Sequence, residues 1–185
     1  MHGKWKLISQ EEISPGTLIS ELLGEVMPLQ TFLKTRFRPS KKHLPVSALL
    51  VNSCTVISCS QFGNIASCCN HSHEPNARLA VLFSHGEMKV VVIAIQGISF
   101  GEEITISYSD YVLCPDYQRL KCECNSRSCT GQIPYVSIEM QDSVCLSVFL
   151  WTKLCRTTWY HMSVLSDLLQ NPKDCLVSKL QISLP

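Results

Sequence analysis

A chain of 185 residues with a formal net charge of +1 has room for one domain and an appendage, because a single domain takes roughly 150 residues. Hydrophobic residues make up 45% and charged residues 17%, a balance that supports a packed core and excludes disorder throughout. With 16 basic and 15 acidic residues there is no global field to gather nucleic acid by counterion release, so no direct nucleic-acid binding is expected and recognition of a charged partner has to be local.

The amino-terminal stretch MHGKWKLISQEE has a basic start but no apolar core. It does not read as a secretory signal and predicts an intracellular address. The longest apolar stretches, Val90 to Ile95 and Val144 to Trp151, fall far short of the ~20 residues that cross a bilayer, so no membrane partner is expected. Trp5 to Val26 predicts two short strands, WKLIS and TLISELLGEV, paired as a hairpin across Ser14-Pro15-Gly16. From Pro28 a short helix over LQTFLKTRF leads into RPSKK, where Lys34, Arg36, Arg38, Lys41 and Lys42 gather on what reads as a solvated loop.

ALLV, TVIS, ARLAVLF and MKVVVIAI follow as strands rich in the β-branched residues that suit a pleated sheet. The last two are expected to pair through a turn at Ser84-His85-Gly86. The strand EITISYSDY comes next, introduced by a turn at Phe100-Gly101-Glu102. Beyond Cys129, VCLSVFLWTKLC and WYHMSVLSDLLQ read as helices, the second stopped by Asn171-Pro172.

Eleven cysteines without a secretory signal point to metal ligands, buried thiols or catalysis before disulfides. Cys54, Cys59, Cys145, Cys155 and Cys175 stand singly in apolar sequence and read as small buried hydrophobes. Cys122, Cys124 and Cys129, in KCECNSRSCTG, are different. Their spacing can wrap a tetrahedral Zn²⁺ with one position left for another donor, and it favours zinc over a redox-active or merely exposed thiol cluster.

Taken alone, Asn70-His71-Ser72-His73-Glu74-Pro75-Asn76 is a polar loop. Order along the chain gives it more weight. It follows ISPGTLISELLGEV, sits within SQFGNIASCCNHSHEPNARL, and precedes IAIQGISFGEEITISY and then CECNSRSC. In this order the pieces resemble the SET domain of protein-lysine methyltransferases followed by its post-SET zinc motif, over about residues 3 to 131. The resemblance implies a β-rich α+β fold, with a SET domain of small sheets over 3–112 in which a pseudoknot tucks Asn70 to Ser72 beside Tyr108. It implies a post-SET zinc-binding segment over 113–131. The tail, 132–185, carries no part of the resemblance; its helix-like runs are expected to pack back on the core.

The resemblance further implies S-adenosylmethionine on one face of the domain and a substrate lysine entering from the other through a narrow channel. Tyr108 aligns with the family's catalytic tyrosine. Asn70 and His71 align with its cofactor-contacting pair, helped by the backbone of Lys4, Trp5 and Lys6. Cys122, Cys124 and Cys129 align with three zinc ligands, and His73 stands where the family places a fourth cysteine. Imidazole is an ordinary zinc donor, so the ligand capacity is kept while the donor type changes. The implied partners are a histone tail or another lysine-bearing nuclear protein, together with subunits of chromatin complexes, and the implied location is nuclear and chromatin-associated.

Three departures from the family pattern stand out. Lys4 and Lys6 replace both glycines of a Gly-x-Gly run whose bare backbone approaches the cofactor. Leu22 stands where a tyrosine often lines the lysine channel, and Ser67-Cys68 replaces an arginine-phenylalanine pair. Together these changes resemble a chromatin-associated branch with weak or absent catalysis. A noncatalytic interaction module is therefore the alternative to a methyltransferase, and Lys4-Trp5-Lys6 is the feature that discriminates between them.

Overall fold

The structure is a computed structural model that describes residues 5–34, 46–52, 54–84, 87–109, 112–113, 121–134 and 180–183. Short strands dominate the described residues. In chain order they are β1 (Lys6–Ser9), β2 (Leu18–Glu21), β3 (Glu25–Pro28), β4 (Ala48–Asn52), β5 (Thr55–Ser58), β6 (Asn70–His71), β7 (Ala77–Ser84), β8 (Glu87–Ala94), β9 (Thr105–Ile106) and β10 (Leu180–Ser183). The α-helix α1 (Leu29–Lys34) follows β3, and a 3₁₀ turn (Ile65–Cys68) precedes β6.

The strands form small separate sheets, ordered β2-β8-β7, β3-β5-β4, β1-β10 and β6-β9. β7 and β8 pair antiparallel from Ala77 opposite Ala94 to Ser84 opposite Glu87, the hairpin expected from their β-branched runs, although His85 and Gly86 of its turn lie outside the described residues. α1 is short and buries Leu29 and Phe32, three positions apart on one face, against Ala48, Val56 and Leu113.

Three expectations need correction. The opening hairpin does not form: β1 pairs with β10 and β2 with β8. Ile13 and Ile98 instead bridge the segment around the Ser14-Pro15-Gly16 turn to the segment that follows β8, so the turn redirects the chain between sheets. TLISELLGEV is also not one strand. It divides into β2 and β3 at Gly24, where a Cβ would lie 2.6 Å from Ile57 Cγ2 and 2.7 Å from the Ser58 carbonyl oxygen. Only a bare backbone lets the chain cross there from the β8 sheet to the β5 sheet.

The third correction concerns EITISYSDY: among its described residues a strand forms at Thr105 and Ile106 alone, with Glu103 in an isolated bridge to Ile8. Beyond them the backbone N–H of Tyr108 turns to the His71 ring, and ladder hydrogen bonds give way to side-chain ones. The turn at Phe100-Gly101-Glu102 is present, with Gly101 at φ +78°, the left-handed region that glycine enters without a Cβ penalty.

The main core gathers Leu7, Ile19, Leu49, Val92, Ile104 and Ile106 from different sheets, and Tyr108 belongs to the same cluster. Burying each such aliphatic side chain contributes about 1.5–3 kcal/mol. Among the single cysteines, Cys59 is buried as expected, whereas Cys54 is exposed beside Asn52 at the β4–β5 turn. Cys145, Cys155 and Cys175, the basic run from Arg36 to Lys42 and the two helices expected in the tail lie outside the described residues. At the described end of the tail, β10 pairs antiparallel with β1, and Leu180 packs against the main core.

Candidate active site and metal centre

β6 and β9 pair in parallel, Asn70 opposite Thr105 and His71 opposite Ile106. That two-residue ladder joins the polar loop to the segment carrying Tyr108. Asn76 fastens the loop from its other end: its Nδ2 donates to Glu102 Oε1 at 3.0 Å and to the Glu103 carbonyl at 2.8 Å, while its Oδ1 accepts from the Thr105 N–H at 2.8 Å. Asn76 is buried, so these bonds satisfy an amide that would otherwise be costly to desolvate.

Tyr108 is 6% exposed. Its hydroxyl donates to the Cys69 carbonyl at 2.7 Å, its backbone N–H donates to His71 Nδ1 at 3.3 Å, and its ring centroid lies 5.3 Å from that of His71. Burial, and after it the neighbouring Cys69 and Glu103, hold its phenol well above the ordinary range. The side chain is therefore a neutral, oriented dipole at physiological pH. Burial foremost, then His73, pushes the His71 imidazole below its usual range, which keeps that ring neutral.

Asn70 Nδ2 donates to the Trp5 carbonyl at 2.8 Å and to Glu103 Oε1 at 2.7 Å. The second oxygen of Glu103 faces Lys6 Nζ at 3.0 Å. A carbonyl, a carboxamide, a carboxylate and an ammonium thus meet at the start of β1, where the family resemblance implies a cofactor cradle. Trp5, Lys6, Asn70 and His71 are brought together with Tyr108; Lys4 lies outside the described residues. Glu103 and Asn76 organise this region and were not singled out from sequence. The repeated acidic pair in Gly101-Glu102-Glu103 and the asparagine closing the loop were the available signals, but acidic turn residues ordinarily face solvent.

The metal centre lies on the other side of His71. One ligand atom from each of His73, Cys122, Cys124 and Cys129 falls within 4.8 Å of the others, and His73 Nδ1 is 3.5 Å from the sulfurs of both Cys122 and Cys124. A tetrahedral zinc ion with bonds of ~2.3 Å to sulfur and ~2.0 Å to nitrogen sets neighbouring donors about 3.5 Å apart. The donor set and its spacing fit zinc. Burial opposes ionisation of Cys124, but hydrogen bonds from the Ser126 hydroxyl and the His73 backbone outweigh it and lower that thiol below its ordinary range. Burial, with hydrogen bonding among the sulfurs, raises Cys122. One thiolate in the cluster is thus already favoured, as a cation site requires. The metal segment is held in place by the bridge of Lys121 to Gln132 and by Glu74 Oε1, which accepts from the Ser128 N–H at 3.2 Å.

Residues 4–109 match the sequence profile of the SET domain. The chain belongs to the SET domain family. Among its relatives, the histone-lysine N-methyltransferase ASHH2 of Arabidopsis thaliana is 32% identical over 127 residues, covering 66% of this chain and 7% of that protein. Set2 of Drosophila melanogaster, also named a histone-lysine N-methyltransferase, is 34% identical over 124 residues, covering 65% of this chain and 5% of its own. The chain therefore spans less than a tenth of the length of these curated relatives. In three dimensions the SET fold aligns with the methyltransferase domain of human histone-lysine N-methyltransferase SETMAR at a TM-score of 0.65 and 23% identity, over 75% of this chain and 57% of that one. No helix among the described residues is long and apolar enough to cross a membrane.

Proposed function

We propose that this SET domain is a protein-lysine N-methyltransferase that uses S-adenosylmethionine and acts on a histone tail or another lysine-bearing nuclear protein. The observation that carries the reading is the convergence of Tyr108, His71 and Asn70 at the β6–β9 ladder. When bound, S-adenosylmethionine supplies an electrophilic methyl group on a sulfonium centre. The remaining work falls to residues of the chain.

Tyr108 acts as an orienting group. Its proton is committed to the Cys69 carbonyl, which leaves the lone pairs of the phenol oxygen to accept a hydrogen bond from a substrate amine. A buried setting disfavours the ammonium form of that amine and leaves its lone pair available. Positioning of this kind supplies a large part of the rate in reactions that require two groups in line. The Trp5 carbonyl and Glu103 carboxylate, both held by Asn70 Nδ2, suit the ammonium of the cofactor's amino-acid end, whereas the Lys6 side chain occupies the same cradle and competes for Glu103. Zinc held by His73, Cys122, Cys124 and Cys129 would fasten the post-SET segment over this region as a structural site. We assign 3–112 to the SET domain, 113–131 to the metal segment and 132–185 to a tail whose end returns to β1, and we place the protein in the nucleus with chromatin complexes as its setting.

One observation favours a second reading, a noncatalytic chromatin interaction module. Lys6 and Glu103 already satisfy each other at the point where the cofactor's charged end would sit. Calorimetric titration with S-adenosylmethionine, followed by transfer of labelled methyl to histone peptides, separates the two. Binding with transfer supports the enzyme; absence of binding at millimolar cofactor leaves only the module.

A further inference from the structure

The hydrogen bonds around His73 take their direction from the Tyr108 backbone N–H at one end and the Gln132 carbonyl at the other. Tyr108 donates its backbone N–H to His71 Nδ1, so neutral His71 carries its own proton on Nε2. That nitrogen lies 3.2 Å from His73 Nδ1, which must accept. His73 then carries its proton on Nε2 and donates to Thr130 Oγ1 at 2.9 Å, and the Thr130 hydroxyl passes on to the Gln132 carbonyl at 3.3 Å. The chain of donors runs from the Tyr108 backbone through both imidazoles to the metal segment.

His73 Nδ1 is also the atom that faces the sulfurs of Cys122 and Cys124. An imidazole nitrogen has one lone pair in the ring plane, and that pair cannot both accept from His71 and bind a cation. Resting on the reading of this cluster as a zinc centre, we propose that the ion is bound through Nδ1 of His73, that Thr130 holds the opposite N–H and so fixes the metal-binding tautomer, and that loading the ion expels the His71 N–H from its bond to His73.

The metal centre is thereby coupled to the ring on which Tyr108 rests. Loading releases the cysteine thiol protons to solvent, while the His71 proton stays on Nε2 and needs a new acceptor. A cysteine in place of His73 would have no second donor atom to be held by Thr130, so the arrangement belongs to the histidine at this position. Partners that orient a metal-binding imidazole are typically worth about 10- to 100-fold in metal affinity.

Two measurements on the full chain under reducing conditions test the proposal. Nitrogen-labelled protein loaded with spin-half cadmium should show metal coupling to Nδ1 of His73 and an Nε2–H tautomer for both histidines. Coupling to Nε2 of His73 would overturn the assignment, whereas failure to bind cadmium or zinc at all would overturn the underlying metal reading instead. Chelator competition should show Thr130→Val weakening zinc affinity about 10-fold or more, with Thr130→Ser restoring it. The cobalt-loaded Val variant should show a shifted ligand-field spectrum. Wild-type affinity and an unchanged cobalt spectrum in Thr130→Val would remove Thr130 from the role.

Discussion

The Tyr108 hydroxyl and the Cys69 carbonyl, 39 positions apart in sequence, meet in a 2.7 Å hydrogen bond inside the protein. This bond fixes the direction of the phenol and ties the end of the β9 segment to the residue that precedes β6. Tyr108→Phe should therefore have two effects. Loss of one oriented group from a preorganised site should lower methyl transfer about 100-fold or more. The orphaned Cys69 carbonyl should also cost about 1–3 kcal/mol of stability. Single-turnover methylation and urea unfolding read the two separately; equal methylation by wild type and variant would remove Tyr108 from the reaction.

Lys6→Gly should raise affinity for S-adenosylmethionine. The substitution removes a side chain from the cradle and releases Glu103 from its 3.0 Å partner. The pair is partly exposed and contributes at most about 1 kcal/mol, and glycine in β1 costs about 0.5–1 kcal/mol of stability. A several-fold gain by calorimetry is expected, with a slightly lower Tm. Unchanged affinity would show that Lys6 does not obstruct the cofactor.

Cys124→Ser should lose most bound zinc, because a tetrahedral site with one thiolate missing has an incomplete donor set. His73→Cys should retain about one ion per chain, since it replaces one competent donor with another. Elemental analysis after gel filtration decides both, and full zinc content in Cys124→Ser would place the ion elsewhere.

Gly24→Ala should destabilise the domain by about 1–3 kcal/mol, the usual cost of forcing atoms into a packed core. The added methyl would meet Ile57 Cγ2 and the Ser58 carbonyl below 3 Å, and the carbonyl belongs to a strand paired on both sides. Gly97→Ala, with open space around its Cβ position, is the control. Thermal melts of the two variants should differ clearly.

Alkaline pH should weaken the fold through Cys59. Burial raises its thiol to about 12, whereas an unfolded thiol ionises near ~8.5. Between these values the unfolded state loses its proton and the folded state does not, so stability is full below the unfolded value and falls as pH rises, by up to ~1.4 kcal/mol per pH unit per such thiol. Urea unfolding at a series of pH values should show this slope, and Cys59→Ala should reduce it, the rest coming from Cys68 and Cys69, which burial also raises.

Much of the core architecture was legible from β-branched runs, because a strand buried on one or both faces needs such residues wherever it lies. The β7–β8 hairpin is the clearest case. What escaped was pairing at long range: β1 and β2 read as a hairpin because their turn is strong, yet the partner of β1 enters from residues 180–183. The cysteine triplet was legible because metal geometry dictates spacing. The place of His73 beside it depended on family resemblance, since 49 positions separate it from Cys122. Glu103 was not legible, because nothing local distinguishes an acidic residue that binds an asparagine and a lysine from one that faces water.

The parallel contact between β6 and β9 also governs when the site can exist. Its partners, Asn70 with Thr105 and His71 with Ile106, are joined through the β7–β8 hairpin, which is local and able to form within about 1–10 μs. Closing the short ladder around that hairpin is non-local, and non-local contacts slow folding because loop entropy is lost before pairing rewards it. Asn70, His71 and Tyr108 therefore come together late on the folding path. A collapsed intermediate with its hairpin already formed would still lack the site, so regained ligand binding would report completion of folding where strand content alone would not.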